Sequence, residues 1–100
     1  MGKFVLIYKG GAMAETPAAQ EAAMNEWMGW FGSLGAAVLD GGNPFAASAT
    51  VGSGGSGASG LAGYSILSAD DLAGAVKLAG GCPVLKSGGT VEVYEAMDMG

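Results

Sequence analysis

Apolar positions along the chain change period several times, and each change marks an element. Phe4-Val5-Leu6-Ile7-Tyr8 is an unbroken apolar run of strand length, as in a strand buried on both faces. Lys9-Gly10-Gly11 ends it. Gln20, Met24, Trp27, Phe31 and Leu34 then recur at helical spacing, with Ala23 and Trp30 widening the stripe. That period predicts a helix from Pro17 to Leu34. Thr16 is its N-cap, proline takes the first helical position, and Gly35 stops it. Ala36 to Leu39 reads as a short second strand. Asp40-Gly41-Gly42-Asn43-Pro44 is a dense turn signal. Phe45 to Val51 either continues the strand or forms an irregular extension. Gly52 to Gly60 is nearly all Gly, Ser and Ala and reads either as a flexible hairpin loop or as disorder.

The last third carries the clearest unit. Gly63-Tyr64-Ser65-Ile66-Leu67 alternates large with small residues, as a half-buried strand does. Ser68-Ala69-Asp70 offers a helix N-cap, with Asp71 in the first turn. Leu72, Val76 and Ala79 fall at helical spacing, with Ala75 and Leu78 beside them. Gly80-Gly81 supplies the positive-φ residue a helix stop favours, and Pro83 forbids resumption. In the final strand, Thr90, Glu92 and Tyr94 point one way, Val91 and Val93 the other. The order is β-α-β-β-α-β in a single domain, residues 1–100. It predicts an α+β, ferredoxin-like antiparallel sheet with both helices on one face.

Composition changes the picture at the uncovered face of that sheet. Half the residues are hydrophobic and only 13% are charged, a poor supply for keeping a large surface solvated. A second copy of the chain is the simplest cover, so a homodimer is expected. The net charge of −5, with four lysines and no arginine, argues against nucleic acid and against an anionic membrane surface. No apolar run is long enough to span a bilayer. The lone cysteine excludes an internal disulfide and fits a reducing, cytoplasmic setting.

Several segments together resemble a known family. They are Trp27-Met28-Gly29-Trp30-Phe31-Gly32-Ser33-Leu34, then Asp40-Gly41-Gly42-Asn43-Pro44, then Gly63-Tyr64, then Leu78 through Tyr94 with Gly81-Cys82-Pro83 inside. In these the chain resembles the YCII-related domain family of the dimeric α/β-barrel superfamily. The resemblance implies a homodimer whose two sheets face each other, with a cleft between sheet and helices in each subunit. Some members pair a histidine with an aspartate in that cleft for acid–base work on small molecules. This chain has no histidine.

Absence of histidine narrows the chemistry. The side chain best matched to proton transfer near neutral pH is missing, and so is the commonest zinc or iron ligand. The expectation is no metal and no cofactor. Asp40, at the end of an apolar strand and the start of a glycine-rich turn, is the candidate general base. The alternative is that it caps its own turn. Asn43 either binds a ligand or shapes the turn before proline. Tyr8 and Tyr64 either line a cleft or are half-buried strand tyrosines. Trp27, with Trp30 and Phe31, either floors a pocket or is plain core. Cys82 lacks a base and a positive field, so it reads as packing. Met97 and Met99 read as a frayed terminus rather than a copper site. The preferred function is binding of a small organic molecule in the cleft. The alternatives are an isomerase or lyase using Asp40 as base with Tyr8 or Tyr64 as proton donor, or a non-catalytic structural or regulatory subunit.

Overall fold

The computed structural model describes residues 2–10, 15–49, 51–52 and 60–97. Six regular elements follow in order: β1 (Gly2–Lys9), α1 (Pro17–Leu34), β2 (Val38–Asp40), β3 (Leu61–Ala69), α2 (Leu72–Ala79) and β4 (Thr90–Ala96). Short 3₁₀ turns occupy Gly35–Ala37 and Pro83–Ser87. The strands form one antiparallel sheet in the order β2-β3-β1-β4. The result is an α+β domain compatible with a ferredoxin-like arrangement. Most of the Gly-Ser-Ala stretch expected as a loop lies outside the described residues, as does Met99.

Both helices lie on one face of the sheet. Strand β1 sends Phe4, Leu6 and Tyr8 inward. Leu6 and Tyr8 share a cluster with Trp30 of α1 and Ala79 of α2, and Phe4 packs with Ala75 of α2. Cross-strand register carries the same face onto β3 and β4, since Leu6 stands opposite Ser65 and Val93, and Tyr8 opposite Gly63 and Val91. The opposite face holds Val5, Ile7, Tyr64, Ile66, Glu92 and Tyr94. No described element of the chain covers it. On this face the Lys9 ammonium reaches Glu92 at 3.4 Å, and the Tyr94 hydroxyl donates to the same carboxylate at 2.7 Å. The hydrogen bond from Tyr94, with Lys9 beside it, holds Glu92 below the usual carboxylate range.

Helix α1 begins and ends as its sequence predicts. The Thr16 hydroxyl accepts from the Ala19 N–H at 3.1 Å, Pro17 sits at the first position, and Gly35 turns the chain out with φ 57°. Its stripe docks only in part. Trp27, Trp30, Phe31 and Leu34 pack in the apolar cluster and Ala23 is half-buried, whereas Gln20 is exposed and Met24 is 64% exposed.

Four local expectations are corrected. The chain after α1 is a 3₁₀ turn through Ala37, so β2 starts at Val38 rather than Ala36. Strand β3 runs on through Ala69, which pairs with Gly2, so the cap of α2 moves to Asp71. Its carboxylate accepts from the Gly74 N–H at 2.8 Å. Next, α2 is rotated from its expected face: Ala75 and Ala79 are buried and Leu78 half-buried, while Leu72 and Val76 stay exposed. Small side chains let the helix lie close to the sheet. Finally, Gly80 keeps right-handed helical angles and Gly81 has no positive φ. Gly81 is needed for space instead, because a Cβ there would sit 3.2 Å from the Trp30 ring.

Candidate functional site

The site is built where the Asp40–Pro44 turn folds back over the start of β3. Two glycines allow that approach. Gly42 takes φ 73°, and a Cβ on it would overlap the Tyr64 carbonyl oxygen. A Cβ on Gly63 would press on the Asn43 carbonyl and on Pro44. With the side chains absent, the turn extends the sheet: Tyr64 N–H donates to the Asn43 carbonyl at 3.3 Å and Phe45 N–H to the Ala62 carbonyl at 2.8 Å. Residues 45–49 have no regular secondary structure, which is the irregular extension rather than a continued strand.

Between this turn and α1 lies a cleft of about 460 Å³. Trp27, Phe31 and Met24 of α1 form one wall, Tyr8 the floor, and Gly41 to Pro44 the other wall. Val84 and Ser87 of the second 3₁₀ turn close one side. Its volume suits a small organic molecule. The aromatic groups pack on one another: Tyr8 and Trp27 meet edge to face at 5.0 Å, and Trp27 and Phe31 are tilted at 5.9 Å. A second, wider groove runs between the end of α1 and α2, past Trp30, Asp71 and Lys77, and is much more open to solvent.

A buried hydroxyl relay fixes the floor to the turn. The Tyr8 hydroxyl donates to Ser65 Oγ at 2.7 Å, and Ser65 donates to the Gly41 carbonyl at 2.7 Å. Ser65 is wholly buried, and both hydroxyls are satisfied. Burial pushes the Tyr8 phenol up to about 12. It remains neutral and serves as a hydrogen-bonding group.

The structure brings Tyr8, Trp27, Asn43 and Tyr64 to the same cleft. It does not place their side chains alike. Tyr64 stands opposite Ile7, so its ring lies on the far face of the sheet, stacked on Phe45 at 5.8 Å. Only the Tyr64 main chain remains on the cleft side. Asp40 is not among the cleft-lining residues. Its carboxylate is exposed and accepts from the Gly42 N–H at 2.8 Å, which is the turn-capping geometry. Trp30 is core, buried beneath α2, whereas Trp27 and Phe31 line the cleft. Cys82 is buried, and burial pushes its thiol up to about 11.

Sequence reasoning passed over Met24, Ser65 and the Val84–Ser87 turn. Met24 had a signal, since it precedes Trp27 by three residues on the helical stripe. Ser65 had a weaker one, as a hydroxyl residue at an inward strand position.

An α+β domain with an aromatic-walled cleft at one end of its sheet is therefore what the chain builds. No family model, curated protein or solved structure matches it. Among the described residues, no helix is long and apolar enough to cross a membrane. Nor do three or more His, Cys, Asp or Glu side chains gather as a metal site among them.

Proposed function

We propose that the protein is a homodimer that binds a small organic molecule in the cleft between α1 and the Asp40–Pro44 turn. The observation that carries this reading is the make-up of the cleft. Three aromatic rings, glycine backbone and a relayed hydroxyl surround enough volume for a ligand. Among the described lining residues, Tyr8 carries the only titratable side chain on the cleft side. That favours binding over the isomerase or lyase reading, in which Asp40 and either Tyr8 or Tyr64 would have to meet one substrate, because Asp40 does not line the cleft. A thermal-shift screen against metabolites tests the proposal, because a ligand selective for the native state raises its melting temperature. No response across neutral, acidic and basic metabolites overturns it.

The dimer is proposed on the uncovered sheet face. Val5, Ile7, Tyr64, Ile66 and Tyr94 share that face, and Phe45 stacks beside them. Opposed sheets would bury these side chains and leave each cleft free on the helical side. This is the arrangement that resemblance to the YCII-related family implies. Sedimentation at micromolar concentration should give twice the chain mass, and a monomer there rejects it.

A further inference from the structure

We propose that the cleft selects an uncharged planar molecule, an aromatic or heteroaromatic ring bearing a neutral amide-like group, over acidic or basic molecules of the same shape. The proposal deepens the binding reading above and rests on it.

Charge is the first argument. Among the described lining residues there is no lysine, aspartate or glutamate. A bound carboxylate would lose its hydration with no cation to replace it, and a bound ammonium would meet no carboxylate. Asp40 stands just behind the turn wall and adds a negative field that opposes anions. An aromatic cage for a cation is not available either. Trp27 lies 5.0 Å from Tyr8 and 5.9 Å from Phe31, so these rings fill the space between one another.

Hydrogen bonding is the second argument. Much of the turn's polarity is already engaged. Gly42 N–H is held by Asp40, the Gly41 carbonyl by Ser65 and the Asn43 carbonyl by Tyr64 N–H. The Asn43 side-chain amide and the Trp27 indole N–H are held by no other described residue. No buried side-chain nitrogen or oxygen among the described residues lacks a partner, so that indole N–H is open to solvent. Asn43 and Trp27 both line the cleft, and an amide donor, an amide acceptor and an indole donor match the groups of a neutral amide on a flat ring.

The test uses three probes of one shape: benzamide, benzoate and benzamidine. Isotope-labelled protein is titrated with each, reading the Trp27 indole N–H and the Asn43 side-chain amide by NMR. Benzamide should shift both signals, and the two ions should need about tenfold more ligand or fail to saturate. Asn43→Asp, an isosteric change at an exposed position, should weaken benzamide and bring benzamidine ahead of it. Benzoate or benzamidine matching benzamide on the unaltered protein overturns the selectivity and leaves cleft binding standing. An unchanged order in Asn43→Asp removes Asn43 as the anchor and overturns the proposal. No shift with any probe sinks the cleft reading together with it.

Discussion

The Trp30 indole N–H donates to the Leu78 carbonyl at 3.2 Å, joining the end of α1 to the last turn of α2. Helix-end carbonyls lack intrahelical donors; that of Leu78 takes a long bond from the Gly81 N–H at 3.4 Å, and the indole adds a donor from a distant element. The same ring lies against Gly81 and inside the main apolar cluster. Trp30→Phe removes the donor and part of the volume while keeping an aromatic ring. It should lower stability by about 1–3 kcal/mol in urea unfolding. A change below a few tenths would mean that the helices are held together elsewhere.

Gly42→Ala places a methyl on the Tyr64 carbonyl and asks alanine to hold φ 73°. Both demands act against the turn, and the loss should be roughly 3 kcal/mol or more. Gly41→Ala is the matched control, because nothing lies within 4 Å of its would-be Cβ. Chemical denaturation of the two variants checks the difference, and equal stabilities would contradict the close approach.

Ser65 and Tyr8 should respond unequally. Ser65→Ala leaves the Tyr8 hydroxyl and the Gly41 carbonyl without their partner in a buried setting, at about 1–3 kcal/mol. Tyr8→Phe keeps the Ser65 bond to Gly41 and should cost about 1 kcal/mol. The double variant should fall short of the sum, as coupled neighbours do. Exact additivity would break the relay into independent bonds.

Alkaline pH should weaken the fold. Burial raises Tyr8 from its ordinary 10.0 to about 12 and Cys82 from 9.0 to about 11. Above the ordinary values the unfolded chain loses these protons while the folded chain keeps them. Stability is therefore full below about pH 9 and falls as pH rises toward the folded-state values. Tyr8→Phe should flatten the upper part of that decline. Urea midpoints measured across this range check it, and an unaltered slope would remove Tyr8 as a cause.

The sheet face gives the fourth side chain to change. Ile7 points away from the helices, opposite Tyr64 and Glu92. Ile7→Lys should convert the proposed dimer to a folded monomer, seen as a halved sedimentation mass with retained circular dichroism. A dimer that survives the lysine must use another surface.

How far the fold was legible depends on which side chains decide it. The bounds of α1 could be read because Thr16, Pro17 and Gly35 act locally. The face of α2 could not. Alanine is apolar yet small, and only the distance between helix and sheet selects Ala75 and Ala79 over Leu72 and Val76. Strand β3 posed the same problem, since its bulkier Tyr64 and Ile66 face outward while Gly63 and Ser65 face inward. Among the cleft residues, Tyr8 and Asn43 were recoverable from an element end and a turn, and Trp27 from the helical stripe. The direction of the Tyr64 ring depends on pairing with Ile7, which no short stretch of sequence encodes.

Strand β1 has a consequence for synthesis on the ribosome. It occupies an interior position in the sheet, yet its neighbours arrive late: Gly2 pairs with Ala69 and Lys3 with Ala96. An emerging nascent chain must therefore carry an apolar segment with both edges bare until β3 has followed it. Chaperone capture should centre on that interval, and it should end when Leu61 to Ala69 clears the exit tunnel.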